Sequence, residues 1–168
     1  MRVKIQWIRR LLTSKHGKTP YSAIGGKGMQ LNITTDYAIR ALIYISSREG
    51  IMTLTEISDG CKAPRDYVGN ILRKLRDADM IYAKAGVKGG YSKKKELKDI
   101  TIWDVMQITE DSNLVNKCLA GEHMCSLMGE HKNLCKLHCY YIGIQKELEQ
   151  LFRNKSIQEI IDSTECSL

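Results

Sequence analysis

The sequence predicts a mainly helical chain with a small β wing: a winged helix-turn-helix domain followed by a long dimerisation helix. Three observations carry this prediction. Residues 34–79 hold three short helical patterns separated by tight turns, the third of them basic. A Gly-rich loop between two β-prone runs follows over 80–95. Apolar residues then recur in alternating steps of three and four from Leu134 to Leu151.

The elements follow in order. Thr34 or Thr35 can cap a first helix in which Ala38, Ala41, Leu42 and Ile45 share a face, with Gly50 as a stop after Arg48 and Glu49. Thr53 and Glu56 form a capping box, each side chain satisfying a backbone donor at the other's position, and open a short second helix ending near Gly60. Pro64 suits the first position of a third helix running to about Asp79, with Val68, Ile71, Leu72 and Leu75 as its buried stripe. Gly69 weakens that helix by about 1 kcal/mol relative to Ala, which suggests a close approach there. Met80–Lys84 and Tyr91–Lys95 flank Ala85–Gly90 as a hairpin, and its position after a basic helix makes it a wing. Thr101 and Asp104 cap a fourth helix, residues 110–117 are a polar connector, and Ser156 and Glu159 cap a short last helix. The repeat Leu134, Leu137, Tyr141, Ile144, Leu148, Leu151 is a narrow a/d seam, which seeks a partner helix; in so small a chain the same helix of a second subunit is the natural one.

Charge is distributed unevenly. The formal charge is +7, but residues 1–28 hold seven of the 26 Lys/Arg and no acid, so 29–168 carry 19 bases against 19 acids. Within that neutral part, residues 62–98 have eleven bases and four acids, while 99–168 have six and eleven. A basic third helix and wing on a balanced chain is a footprint for a polyanion. The division that follows is a basic leader (1–28, read as a tag or upstream extension, disordered), a winged helix-turn-helix domain (29–110), a cysteine-rich loop (111–134), a dimerisation helix with a short C-terminal helix (135–163) and a tail (164–168). No transmembrane run or signal peptide is evident, and the expected location is cytoplasmic.

Four of six cysteines and three of four histidines fall between Cys118 and Tyr141. In a reducing compartment such crowding points to metal or redox chemistry rather than disulfides. The spacing Cys118-x₆-Cys125-x₉-Cys135-x₃-Cys139 matches neither a ferredoxin run nor a thioredoxin motif nor a zinc ribbon. A loop giving two thiolates and a helix start giving the rest suits a cluster whose several irons spread their ligands. Cys61 reads as a small buried side chain, Cys166 as part of the tail, and His123 and His131 as solvated loop residues. No acid–base pair or nucleophile constellation supports an enzyme or an electron carrier.

Together, Thr35–Leu42 (TDYAIRAL), Thr53–Ile57 (TLTEI), Tyr67 with Leu72–Leu75 (LRKL), Gly89–Tyr91 (GGY), Ile102–Val105 (IWDV) and Cys135–His138 (CKLH) resemble the Rrf-type winged-helix transcriptional regulators, the bacterial family of IscR, NsrR and CymR. The resemblance covers about residues 29–163. It implies a homodimeric repressor on a palindromic operator in double-stranded DNA, with each third helix in a major groove and each wing beside a minor groove. Carried over, Pro64, Arg65, Tyr67, Asn70 and Lys74 on the recognition helix, and Lys84, Lys88, Gly89 and Tyr91 on the wing, are the DNA-binding residues. Relatives often carry arginine just before the wing glycine; here the residue is Ala85, and Lys88 is the candidate substitute.

The same resemblance implies an iron–sulfur cluster, [2Fe–2S] or [4Fe–4S], on Cys118, Cys125 and Cys135, sensing iron–sulfur status, redox state or nitric oxide. The fourth ligand stays open between Cys139, His138 and Asp36. A non-thiolate ligand would leave the cluster more labile, as a sensor requires. The alternative keeps the fold without a cluster, sensing through cysteine thiols or a partner protein.

Overall fold

The structure is a computed structural model that describes residues 30–121 and 135–163. The expectations for the leader 1–28, Cys125, His123, His131, Leu134 and the tail with Cys166 lie outside the described residues. Helix α1 spans Ile33–Ser46 and is capped by Asn32, whose Oδ1 accepts the Thr34 N–H at 3.0 Å. The expected Thr34 and Thr35 caps are displaced into the helix, because the Thr35 hydroxyl is buried against Thr109, 2.6 Å away, and the Glu110 carboxylate. The helix also stops earlier than the sequence suggests, and Gly50, at φ +88°, makes the turn beyond it.

Helix α2 (Leu54–Cys61) starts at the predicted Thr53/Glu56 capping box, and its left-handed cap residue Lys62 turns the chain into α3 (Arg65–Asp77). Pro64 is the residue before α3 rather than its first turn: its ψ of 136° is extended, so the helix begins one residue later. The predicted stripe of Val68, Ile71, Leu72 and Leu75 is buried. Gly69 has ordinary room, a Cβ there meeting only Leu54 Cδ2 at 3.7 Å, so no close approach explains it.

Strands β1 (Ile81–Lys84) and β2 (Gly90–Lys93) pair antiparallel, Ile81 opposite Lys93 and Lys84 opposite Gly90. Met52 and Tyr91 exchange two backbone hydrogen bonds of 2.8 Å each, tying the hairpin's base to the segment before α2. After a 3₁₀ turn at Leu97–Asp99 comes α4 (Ile102–Thr109), with the predicted Thr101/Asp104 box. A second 3₁₀ turn, Lys117–Leu119, precedes α5 (Lys136–Arg153) and α6 (Ile157–Asp162), the latter opened by the Ser156/Glu159 box. Ile157 returns to the main core, its N–H donating to Ile100 O at 2.8 Å.

The core is continuous across α1, α2, α3, β1, the Leu97–Ile100 segment, α4 and α6. Helix α5 stands apart and packs against α4. The predicted a/d seam divides within this chain: Tyr141, Ile144 and Leu148 are half-buried, whereas Leu137 and Leu151 are 57% and 69% exposed. The one α5 side chain that is buried is the polar Gln145, which the hydrophobic repeat omits.

Candidate nucleic-acid interface and thiol cluster

Helix α3 is amphipathic because its apolar positions fall at spacings of three and four while Arg65, Asn70, Arg73, Lys74 and Arg76 take the other faces. Arg65, Asn70 and Lys74 are exposed, and Tyr67 keeps 51% of its surface open. The Asn70 carbonyl oxygen accepts from the Arg73 guanidinium, leaving the amide nitrogen as the donor end of Asn70. Tyr67 stands edge-to-face with Tyr37 of α1, centroids 6.2 Å apart at 78°. Arg40 lies over the Tyr37 ring at 5.8 Å and pairs with Asp36 at 2.6 Å.

The wing is built by backbone constraint. A Cβ on Gly89 would run into the carbonyls of Lys84 and Gly86, so Gly89 serves the tight turn. Gly90 sits at φ +156° against Met52. Lys84 and Lys88 are exposed along the hairpin, and the tip residue Val87 is fully open. Tyr91 is half-buried against the core, so its ring anchors the wing. At the wing's base the Lys94 ammonium pairs with Asp79 and lies 5.0 Å over the Tyr82 ring. The Asp79 hydrogen bond raises the Lys94 pKa and keeps it charged.

Three candidate ligands fall within the start of α5. Cys135 precedes its first turn and is half-buried; His138 and Cys139 follow at one helical turn, and the Cys139 N–H donates to Cys135 O at 3.1 Å. Cys118 lies in the 3₁₀ turn that packs on α5, with its N–H held by Asn116 Oδ1 at 3.0 Å. Among the described residues His138 Nδ1 is buried without a hydrogen-bond partner. A buried imidazole nitrogen left unpaired costs free energy unless a ligand takes it, and thiols with imidazole suit iron–sulfur chemistry. Asp36, by contrast, is engaged with Arg40. Among the described residues no three His, Cys, Asp or Glu side chains stand close enough to hold a metal ion, and Cys125 lies outside them. Cys61 is 2% exposed, and burial pushes its thiol pKa up, which suits a packing role.

Two features escaped the sequence reading. Gln145 clamps the connector to α5, its amide donating to Asn113 O and accepting from the Val115 N–H, both at 2.9 Å. Glu110 Oε1 accepts from the Asn32 N–H at 2.8 Å and from the Thr35 hydroxyl, tying the connector's start to the beginning of α1. No periodicity announces either contact, since each joins residues more than 29 apart in sequence. Among the described residues no helix is long and apolar enough to cross a membrane.

Comparison with known proteins agrees with this geometry. The sequence profile of the Rrf2 family, described as iron-dependent transcriptional regulators, matches residues 31–163. An HTH-type transcriptional regulator of Aquifex aeolicus (strain VF5) is 29% identical over 136 residues, 80% of this chain and 93% of its own. Among solved structures, CymR of B. subtilis, the global cysteine regulator, superposes with a TM-score of 0.59 at 17% identity, over 82% of this chain and all of its own. IscR of T. potens gives 0.60 at 17% identity, over 82% of this chain and 90% of its own. At that identity the two structures speak for the fold alone.

Proposed function

Because this chain belongs to the Rrf2 family of winged-helix transcriptional regulators, we propose that it is a homodimeric repressor that reads a palindromic DNA operator and senses iron–sulfur or redox status at the foot of α5. The observation that carries the DNA reading is the join of an exposed, basic α3 to a basic hairpin. Arg65, Tyr67, Asn70 and Lys74 present donors of the kind that reach base edges and phosphates in a major groove. Lys84 and Lys88 supply point charges beside the backbone; lacking an arginine fork at Ala85, the wing contributes more to affinity than to sequence choice. Pro64, Gly89 and Tyr91 shape these surfaces. The second subunit is argued from the exposed apolar side of α5, where Leu137, Tyr140 and Leu151 lie open.

For the sensor, Cys118, Cys125 and Cys135 are the proposed thiolate ligands of an iron–sulfur cluster. The unpaired buried Nδ1 favours His138 over Asp36 and Cys139 as the fourth. Such a cluster, when bound, supplies an oxidant- and nitric-oxide-sensitive group. The chain's part is to hold Cys118 against α5 and to keep His138 half-buried, so that ligation changes the order of the connector and biases the angle between the recognition helices.

A second reading, a thiol-based regulator without a cluster, is favoured by one observation: Cys139 is exposed on the turn after Cys135. Anaerobic purification with iron and acid-labile sulfide analysis separates the two. Brown protein with both elements supports the cluster. Colourless protein without sulfide, or with stoichiometric zinc, overturns it.

A further inference from the structure

We infer that Tyr37, on α1 and outside the recognition helix, is a positioning residue for DNA reading, holding the Tyr67 ring at the start of α3. The inference rests on the reading of α3 as the groove-entering helix. Tyr67 is the third residue of α3; half its surface is open, and among the described residues it has an aromatic partner on α1. That partner is Tyr37, edge-to-face at 6.2 Å and 78°, within the preferred geometry of an aromatic pair.

Tyr37 is itself held from two directions. It packs against the hydrophobic core, Arg40 covers its ring at 5.8 Å, and Asp36 fixes Arg40 through a 2.6 Å ion pair. The sequence Asp36–Arg40–Tyr37–Tyr67 therefore runs from the exposed edge of α1 to the residue that faces the groove. A tyrosine on a helix start would otherwise lose rotamer freedom on binding, and that loss subtracts from affinity at the specific site. Pre-ordering the ring removes that cost, and its hydroxyl can then donate to or accept from a base edge. Neither ring belongs to the fully buried core, so the pair serves orientation more than folding.

The test uses a duplex selected by the protein itself from a random-sequence pool, with a scrambled duplex of equal composition as the non-specific probe. Affinities are measured by fluorescence anisotropy. Tyr37→Ala is expected to lower the ratio of specific to non-specific affinity by about two- to tenfold, the range an aromatic pair supports. The salt dependence should stay unchanged, since no phosphate contact is lost. Tyr37→Phe should retain the ratio, and Tyr37→Leu replaces the alanine variant if that one fails to fold. In a Tyr67→Ala background, Tyr37→Ala should add nothing. An unchanged ratio in Tyr37→Ala, or a full loss that persists without Tyr67, overturns the inference while leaving α3 as the recognition helix. A Tyr67→Ala protein with an undiminished ratio would instead remove the reading of Tyr67 on which the inference stands.

Discussion

Two glycines, each of which would bring a new Cβ into collision, should respond to alanine in opposite degrees. At Gly90 the Cβ would stand 2.8 Å from Ile51 Cγ2, 2.9 Å from Met52 C and closer still to Met52 O. Backbone cannot swing aside, so β2 must move, breaking the pair of 2.8 Å hydrogen bonds between Met52 and Tyr91. Each such bond is worth about 1 kcal/mol net, and a φ of +156° adds strain for any residue with a side chain. The expected loss for Gly90→Ala is about 2–4 kcal/mol, or roughly 5–15 °C in Tm for a chain of this length. At Gly60, inside α2, the Cβ would enter the space of the Tyr44 ring, which is a rotatable side chain. Turning it aside gives up the Arg48 guanidinium 4.6 Å over that ring, about 0.5–1 kcal/mol. Alanine returns about 1 kcal/mol in helix propensity, so Gly60→Ala should lie near the parent. Urea unfolding at fixed protein concentration, followed by circular dichroism, gives both values. If Gly90→Ala proves no less stable than Gly60→Ala, the wing is not anchored by the Met52–Tyr91 bridge.

Other outcomes follow from the same structure. The capping-box carboxylates Glu56 and Glu159 accept backbone and hydroxyl hydrogen bonds from Thr53 and Ser156, which hold their pKa below the ordinary glutamate value. A depressed folded pKa gives stability that is complete above the unfolded value of 4.5 and is lost as pH falls through the folded one. The double variant Glu56→Gln/Glu159→Gln should therefore lose less stability than the parent between about pH 6 and acid, by urea midpoints; an equal loss refutes the assignment. Arg65→Ala or Lys88→Ala should flatten the salt dependence of operator binding by about 2 in the log–log slope, one phosphate contact in each of two subunits, and an unchanged slope counts against the surface. Leu151→Glu, at a position 69% exposed in the single chain, should give folded monomers in sedimentation velocity. A dimer of unchanged mass would move the interface elsewhere.

The winged domain could be read from sequence because its signals are local. Capping boxes at Thr53, Thr101 and Ser156 each depend on residues three apart, and all three form. The α3 stripe and the glycines of the wing likewise act over a few residues, so pattern and structure agree there. At two places where expectation and structure part, a long-range contact has intervened. Thr35 is drawn away from a capping role by Thr109 and Glu110, more than 70 residues distant, and Asn32 takes the cap. The α5 seam reads as one stripe in sequence, but packing on α4 takes Leu148 and Phe152 toward Trp103 and Met106 while Leu137 and Leu151 stay open. At the thiol site the candidate donors were implied by the resemblance, and α5 places Cys135, His138 and Cys139 within one turn. The unpaired state of His138 Nδ1 depends on neighbours that spacing does not encode.

If the foot of α5 senses and α3 reads DNA, as proposed, the link between them limits how strong a switch this chain could build. From Cys118 the chain runs back through Asn116, which caps its N–H, to the connector that Gln145 holds at Asn113 and Val115. The connector begins at Glu110, which grips the Asn32 N–H and the Thr35 hydroxyl at the start of α1. Helix α1 carries Tyr37 and meets α3 through it. If a change at the foot of α5 released only the two Gln145 bonds, at about 1 kcal/mol each, the differential free energy available would be about 2 kcal/mol. That converts to roughly a thirtyfold change in operator affinity, inside the usual range of allosteric coupling. A switch of a thousandfold requires about 4 kcal/mol and so cannot come from the two Gln145 bonds of one subunit alone. It would have to draw on contacts between two copies of α5, where the exposed side of the seam leaves apolar surface to gain or lose.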